Sequence, residues 1–295
     1  MTQVTEFLNK RWPKWYDWVQ LTRFNRPIGS YLLIGPTLWA LWIAAQGWPD
    51  WHLLFIFVVG VFVMRSAGCV INDFADRKWD GEVKRTLDRP LVTGRLSAKE
   101  ALQGFAVLVL VAFGLVLFTN ALTIKLSFLA LFFAALYPFT KRFTHLPQLF
   151  LGAAYSMSIP MAFAAQAGEV PVVAWLLFIA NLLWTVAYDT LYAMVDRDDD
   201  LKVGIKSTAI LFADNDLKII SLLYVAVGLV LAGVFTALGL GGWAYLGLVA
   251  GLGYIGYLVW SARSRSRESC FHAFLQNYWF GILVWAGLAL NYASF

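Results

Sequence analysis

The chain has 295 residues, of which 60% are hydrophobic and only 14% charged, with a mean hydropathy of +0.66. Soluble domains carry about 25% charged residues, so the composition excludes an ordinary water-soluble globule and points to a membrane protein. The net charge of +5 calls for no nucleic-acid partner, because the bases gather on one side of the expected bilayer.

Residues 1–26 read as a basic cytoplasmic arm, and the rest of residues 1–295 as one intramembrane domain, a bundle over 27–295. No Asp, Glu, Lys or Arg occurs in 101–124, 143–168, 170–188, 219–262 or 273–295. A bilayer core takes about 20 apolar residues per spanning helix. The predicted spans are therefore 27–46, 52–72, 101–119, 122–140, 146–167, 171–195, 218–238, 243–262 and 272–292. The long run from Ile219 to Ala262 divides at "LGLGGW", Leu238 to Trp243. The fold class is all-α, polytopic, with nine transmembrane helices. The alternating pattern of a membrane β-barrel is absent.

All of the 23 Lys and Arg residues except Arg65 and Lys125 fall in the arm or in loops on one side. That bias puts the N-terminus in the cytoplasm and the C-terminus outside, as in a bacterial-type inner membrane. The first apolar segment is long enough to span and lacks a small-residue cleavage site, so no cleavable signal is expected. Cys69 and Cys270 fall within or at the ends of helices, without a disulfide or metal pattern. His52, His145 and His272 are scattered. "GLGYIG", Gly251 to Gly256, fits a dinucleotide fingerprint in letters only: it lies mid-helix, where small residues serve helix packing.

The chemistry concentrates at two helix ends. The second span runs into "NDFADRKWD", carrying Asn72, Asp73, Asp76 and Asp80; the sixth runs into "DRDDD", carrying Asp196, Asp198, Asp199 and Asp200. Residues four apart share a helix face, so Asn72, Asp76 and Asp80 form one stripe and Asp196 and Asp200 another. A separation of 124 residues links Asn72 to Asp196 and Asp76 to Asp200. Both ends are cytoplasmic. Solvated charge is the plain reading, but acids at a helix C-terminus oppose the macrodipole and call for a counter-ion. Magnesium fits, since it takes oxygen ligands from a few carboxylates and completes its shell with water and substrate phosphate. The bases alongside, Arg77, Lys78, Lys84, Arg85, Lys141, Arg142, Lys202 and Lys206, suit the remaining phosphate oxygens.

Seven residues before each stripe stands a charge inside a span, Arg65 and Asp189, about 10 Å deeper at 1.5 Å per residue. Intramembrane charges are costly and are functional candidates. They either pair with each other or face a small polar substrate below the diphosphate.

These segments resemble the intramembrane prenyltransferases of the UbiA superfamily. "NDFADRKWD" and "DRDDD" match its two aspartate motifs. "RPIGSYLL", "RPLVTG", "YPFTKRFTHLPQ" and "YDTLYAMVDRDDDLKVGIKSTAILF" resemble its 4-hydroxybenzoate polyprenyltransferase branch. The likeness covers roughly residues 23–280. It implies Mg2+-dependent transfer of a polyprenyl group from its diphosphate to the ring carbon ortho to the hydroxyl of 4-hydroxybenzoate, a step of ubiquinone biosynthesis, with membrane lipid around the site. On that reading Asn72, Asp76, Asp196 and Asp200 hold metal, joined by Asp73 and Asp80. Arg77, Lys141 and Arg142 bind diphosphate. Asp189 acts on the phenol, and Arg65 holds the carboxylate, with Arg26 as a competing anchor and Tyr137 as a hydrogen-bond partner. Another aromatic acceptor, or an ion or solute carrier, are the alternatives. A carrier would place its acids near the midplane, away from the basic cytoplasmic end.

Overall fold

A computed structural model describes residues 10–294; the first nine residues of the expected arm lie outside the described residues. Every regular element among the described residues is helical. A short helix α1 (Trp15–Leu21) precedes α2 (Ile28–Ala45), α3 (Trp51–Asp76), α4 (Ala98–Val116) and α5 (Ala121–Thr140). Then come α6 (Pro147–Ser156), α7 (Ser158–Ala167), α8 (Val172–Val203), α9 (Thr208–Phe212), α10 (Asp216–Ala237), α11 (Gly242–Ser261), α12 (Arg267–Gln276) and α13 (Tyr278–Ala293).

Grouped by length and hydropathy these form nine membrane spans among the described residues, as expected, but the fifth, seventh and ninth are interrupted. The fifth bends at Met157, between α6 and α7, three residues before Pro160, whose ring nitrogen cannot donate to Ser156. The ninth bends at Asn277, between α12 and α13, where the fully buried amide accepts from Tyr224 at 2.9 Å and Trp184 at 3.2 Å. The seventh starts at Thr208, earlier than the expected 218, with a 3-10 turn at Ala213–Asn215 inside it.

Local sequence fixes several ends. Ser97 and Glu100 make a reciprocal capping box at the start of α4. The Asn120 side chain accepts from the Thr123 N–H at 2.9 Å and donates to the Ala164 carbonyl, tying the α5 start to α7. Gly204, in the left-handed region at φ 74°, closes α8, its N–H on the Asp200 carbonyl.

The helices close around an aromatic core on one side and a cavity on the other. Trp39 and Trp184 stack with centroids 5.8 Å apart, and Phe280 packs edge-on to Trp39. α2 can lie against α13 because Gly35 meets Gly281: a Cβ at Gly35 would stand 2.7 Å from the Gly281 Cα. Backbones that close exclude lipid between helices. Gly251 of the false fingerprint likewise faces Phe280 from mid-α11. Cys69 and Cys270 are buried free thiols.

Candidate active site

Both helices run past the ends of their apolar runs, but only the second stripe is wholly helical: α3 ends at Asp76, so Asp80, expected on the same helix face, lies in the turn that follows. α3 continues through Asp76, and α8 runs on to Val203, eight residues beyond the expected end. Asn72, Asp73, Asp76 and Asp80 line one wall of a cavity of about 810 Å³, and Asp196 and Asp200 line another. The volume lies in the range of ordinary small-molecule sites.

Clustered acids raise one another's energy unless cations intervene, and here the cations are fixed. Lys141, just past α5, donates to Asp76 at 2.8 Å and lies 3.5 Å from the Asn72 oxygen. Arg85 spans the mouth, its Nε 3.0 and 3.1 Å from the two oxygens of Asp196. Arg89 reaches Asp73 at 2.9 Å and Asp80 at 2.6 Å. Arg23, left-handed at φ 61°, adds a two-oxygen contact to Asp73 at 2.9 Å. Asp200 belongs to no ion pair formed among the described residues. Burial pushes the Asp80 carboxyl up to about 6 although Arg89 opposes the shift. Burial works against the charge on Lys141, yet Asp76 holds its pKa above the ordinary lysine value.

The loop carrying Arg85 and Arg89 is folded by its own residues. Thr86 donates to the Asp80 carbonyl at 2.6 Å, and Arg95 ties the loop's far end to Asp17 and Gln20 of α1. Leu21, Val70, Leu96 and Ala101 make a small core beneath it. The end of α8 has its own clamp. Arg197, pointing away from the cavity, pairs with fully buried Asp216, which Arg265 also holds, while Arg267 bonds Asp199 at 2.9 Å.

Arg65 and Asp189 both line the deeper cavity, and no ion pair joins them among the described residues. The Arg65 Nε is buried without a hydrogen-bond partner, and its guanidinium lies over Tyr155, 6.0 Å from the ring centroid. Gly29 makes room for it, since a Cβ there would fall 2.1 Å from that Nε. Gln148 lines the cavity with Asp189, and its oxygen accepts from the Thr208 N–H at 3.1 Å. Tyr137 lines the cavity beneath Lys141, and exposed Arg26 stands at its rim.

Two expected diphosphate ligands lie elsewhere. Arg77 donates to the Phe74 carbonyl and stacks on Phe74 at 4.2 Å; Arg142 donates to the Ala75 carbonyl at 2.9 Å and covers Trp79 at 4.6 Å. Neither lines the cavity. Both satisfy carbonyls at the C-terminus of α3, a common use of arginine at helix ends, and nearness in sequence could not reveal that. Arg85, counted above among the neighbouring bases, lines the cavity, as do Arg89 and Arg23. Arg89 had a signal in "RPLVTG"; Arg23, Gln148, Tyr155 and Tyr192, whose ring lies 4.7 Å from the Arg85 guanidinium in the cavity wall, had none beyond their position in or near quoted segments.

The donor set suits a hard divalent cation. It is all oxygen, and among the described residues no three His, Cys, Asp or Glu side chains close into a site by themselves. Carboxylates split between two walls, with bases between them, match a cation shared with an anionic substrate.

Comparison with known proteins places the chain in a family. The chain belongs to the UbiA prenyltransferase family, whose model matches residues 33–282. It is 58% identical over 288 residues to the 4-hydroxybenzoate octaprenyltransferase of Pseudomonas savastanoi pv. phaseolicola (strain 1448A / Race 6), covering 97% of each chain. To that of Stutzerimonas stutzeri (strain A1501) it is 57% identical over 294 residues, 99% of this chain and 98% of the relative. The apo structure of a UbiA homolog from Aeropyrum pernix K1 superposes with a TM-score of 0.78 at 25% identity, covering 88% of this chain and 97% of that one. A UbiA homolog from Archaeoglobus fulgidus bound to GPP and Mg2+ shares the fold, with a TM-score of 0.66 at 17% identity over 94% of this chain and 98% of that one.

Proposed function

We propose that this chain is a 4-hydroxybenzoate polyprenyltransferase. It moves a polyprenyl group from its diphosphate to the ring carbon ortho to the hydroxyl, within ubiquinone biosynthesis. The observation that carries this is one cavity lined by both acid stripes at its mouth and by unpaired Arg65 and Asp189 below. The names of its relatives support the acceptor. No feature of the site favours a carrier.

Asn72, Asp76, Asp196 and Asp200, with Asp73 and Asp80, would hold the divalent ion, which we take to be Mg2+. When bound there, that ion supplies Lewis-acid neutralisation of the departing diphosphate. Lys141, Arg85 and Arg89 bind the phosphate oxygens, exchanging carboxylate partners for phosphate ones. The allylic C–O bond breaks with its electron pair on the diphosphate. Apolar walls keep water from the allylic cation. Arg65 holds the benzoate carboxylate through its forked donors, with Tyr137 and Tyr155 beside it. Asp189 accepts the phenolic hydrogen, raising electron density at the ortho carbon. That carbon gives its π pair to the new C–C bond, its proton passes to the released diphosphate, and the rearomatised ring recovers its phenolic hydrogen from Asp189.

The placement of bases supports a site open to the cytoplasm in a bacterial-type inner membrane, with residues 27–295 as a single domain behind the basic arm. The test is a transfer assay in membranes expressing the full chain, using labelled 4-hydroxybenzoate and a short allylic diphosphate. Product should require Mg2+, disappear with EDTA and fall at least about 100-fold in Asp76→Ala, the loss expected of a preorganised charge site. Equal product with EDTA, or with another arene only, would overturn the proposal.

A further inference from the structure

The cavity is longer than its mouth and floor require. Along α3 its lining recurs from Asp76 back to Ile56, and along α5 from Tyr137 to Thr123. At about 1.5 Å per residue, the twenty residues of α3 make a trough about 30 Å deep, a full hydrocarbon thickness. Below Arg65 its lining is mostly apolar and uncharged, with the hydroxyls of Thr119, Thr123, Ser127 and Ser158 among it. Leu110 and Phe128, 68% and 59% exposed, belong to that lining, so the lower trough opens sideways between α4 and α5 into lipid.

Most side chains along this face of α3 are large, but Gly60 and Gly68 also line the trough, and a Cβ at either would meet nothing within 4 Å. Neither glycine is required by backbone conformation, since both lie inside α3 and neither has positive φ. Glycine also weakens a helix relative to alanine. Packing does not call for them either, unlike Gly35 or Gly29. What the two provide is width.

Gly60 lies twelve residues, about 18 Å, below Asn72. An isoprene unit contributes four chain bonds of about 1.5 Å, or about 5 Å of zigzag length. A two-unit tail, about 10 Å long on those bond lengths, stops above Gly60. An eight-unit tail that follows the trough passes it. On the prenyl-donor reading above, we infer that Gly60 is a specificity-determining residue: its missing side chain keeps the lower trough open for long prenyl tails and is irrelevant to short ones.

The test is the kcat/KM of the full-length protein in membranes for two-unit and eight-unit allylic diphosphates with 4-hydroxybenzoate. Wild type is compared with Gly60→Ala, Gly60→Leu and Gly60→Phe, and with Gly233→Phe on an exposed face of α10. Two-unit transfer by each variant reports that it is folded. The expected result is selectivity against the eight-unit donor that grows with side-chain size, reaching about tenfold or more for Gly60→Phe, with Gly233→Phe showing none; tenfold corresponds to about 1.4 kcal/mol. If the Leu and Phe variants lose both donors in parallel, or lose neither, the inference is wrong, the latter meaning that the tail leaves for lipid above Gly60. Wild type that uses neither donor would instead overturn the donor reading itself.

Discussion

Arg65 reaches the cavity because residue 29 is glycine and because no acid claims its guanidinium. Most buried charges among the described residues are paired, Asp216 with two arginines and Asp73 with two more; Arg65 has a buried, unpartnered Nε and no ion pair among those residues. A buried unsatisfied donor is costly, and a carboxylate-bearing substrate would satisfy it. Arg65→Lys keeps the charge and removes the fork, so the KM for 4-hydroxybenzoate should rise about tenfold or more, the worth of roughly one charged hydrogen bond. The KM for the donor should stay as it was. Steady-state kinetics with each substrate varied in turn would show this, and a rise in the donor KM alone would move Arg65 to the diphosphate. The mouth offers a second contrast. Arg85→Ala should raise the donor KM about tenfold or more, while Arg142→Ala should change it less than about threefold, since the Arg142 guanidinium caps a helix away from the cavity.

At the scale of elements, the site depends on helices that outlast their hydrophobic runs. The apolar stretch of α8 stops near Val195, where the expected membrane span ends. Its last two turns persist because Arg197 and Arg267 bind Asp216 and Asp199 and Gly204 closes the end. Gly204→Val forces a β-branched residue into the left-handed region, at a cost of about 1–2 kcal/mol. The end of α8 should fray, lowering kcat through misplacement of Asp200 and lowering the thermal midpoint of the protein in detergent. An unchanged kcat would show that Asp200 does not need the helix end. The existence of the spans was legible because twenty-residue apolar runs have few other uses. The stripes were legible from the i, i+4 rule as far as each helix continues, which leaves Asp80 to the turn after α3. The breaks at Met157 and Asn277 were not legible as breaks, since they rest on Pro160 within an apolar run and on an amide that finds partners from three helices. Nor could letters tell that Arg77 and Arg142 turn back to carbonyls while Arg85 crosses the mouth.

For the whole molecule, the 124-residue offset between the stripes becomes two facing walls of one cavity, with Lys141 and Arg85 as the counter-charges. If the walls form one binding unit, Asp76 and Asp200 act together although they lie on separate helices. Binding of Mn2+ in the presence of inorganic diphosphate, followed by electron paramagnetic resonance on the full-length protein in detergent, measures this without any turnover. We expect Asp76→Asn and Asp200→Asn each to weaken binding about tenfold or more, with the double variant little worse than either, because contacting groups are non-additive. Two losses that multiply, or Mn2+ binding indifferent to diphosphate, would contradict a shared site.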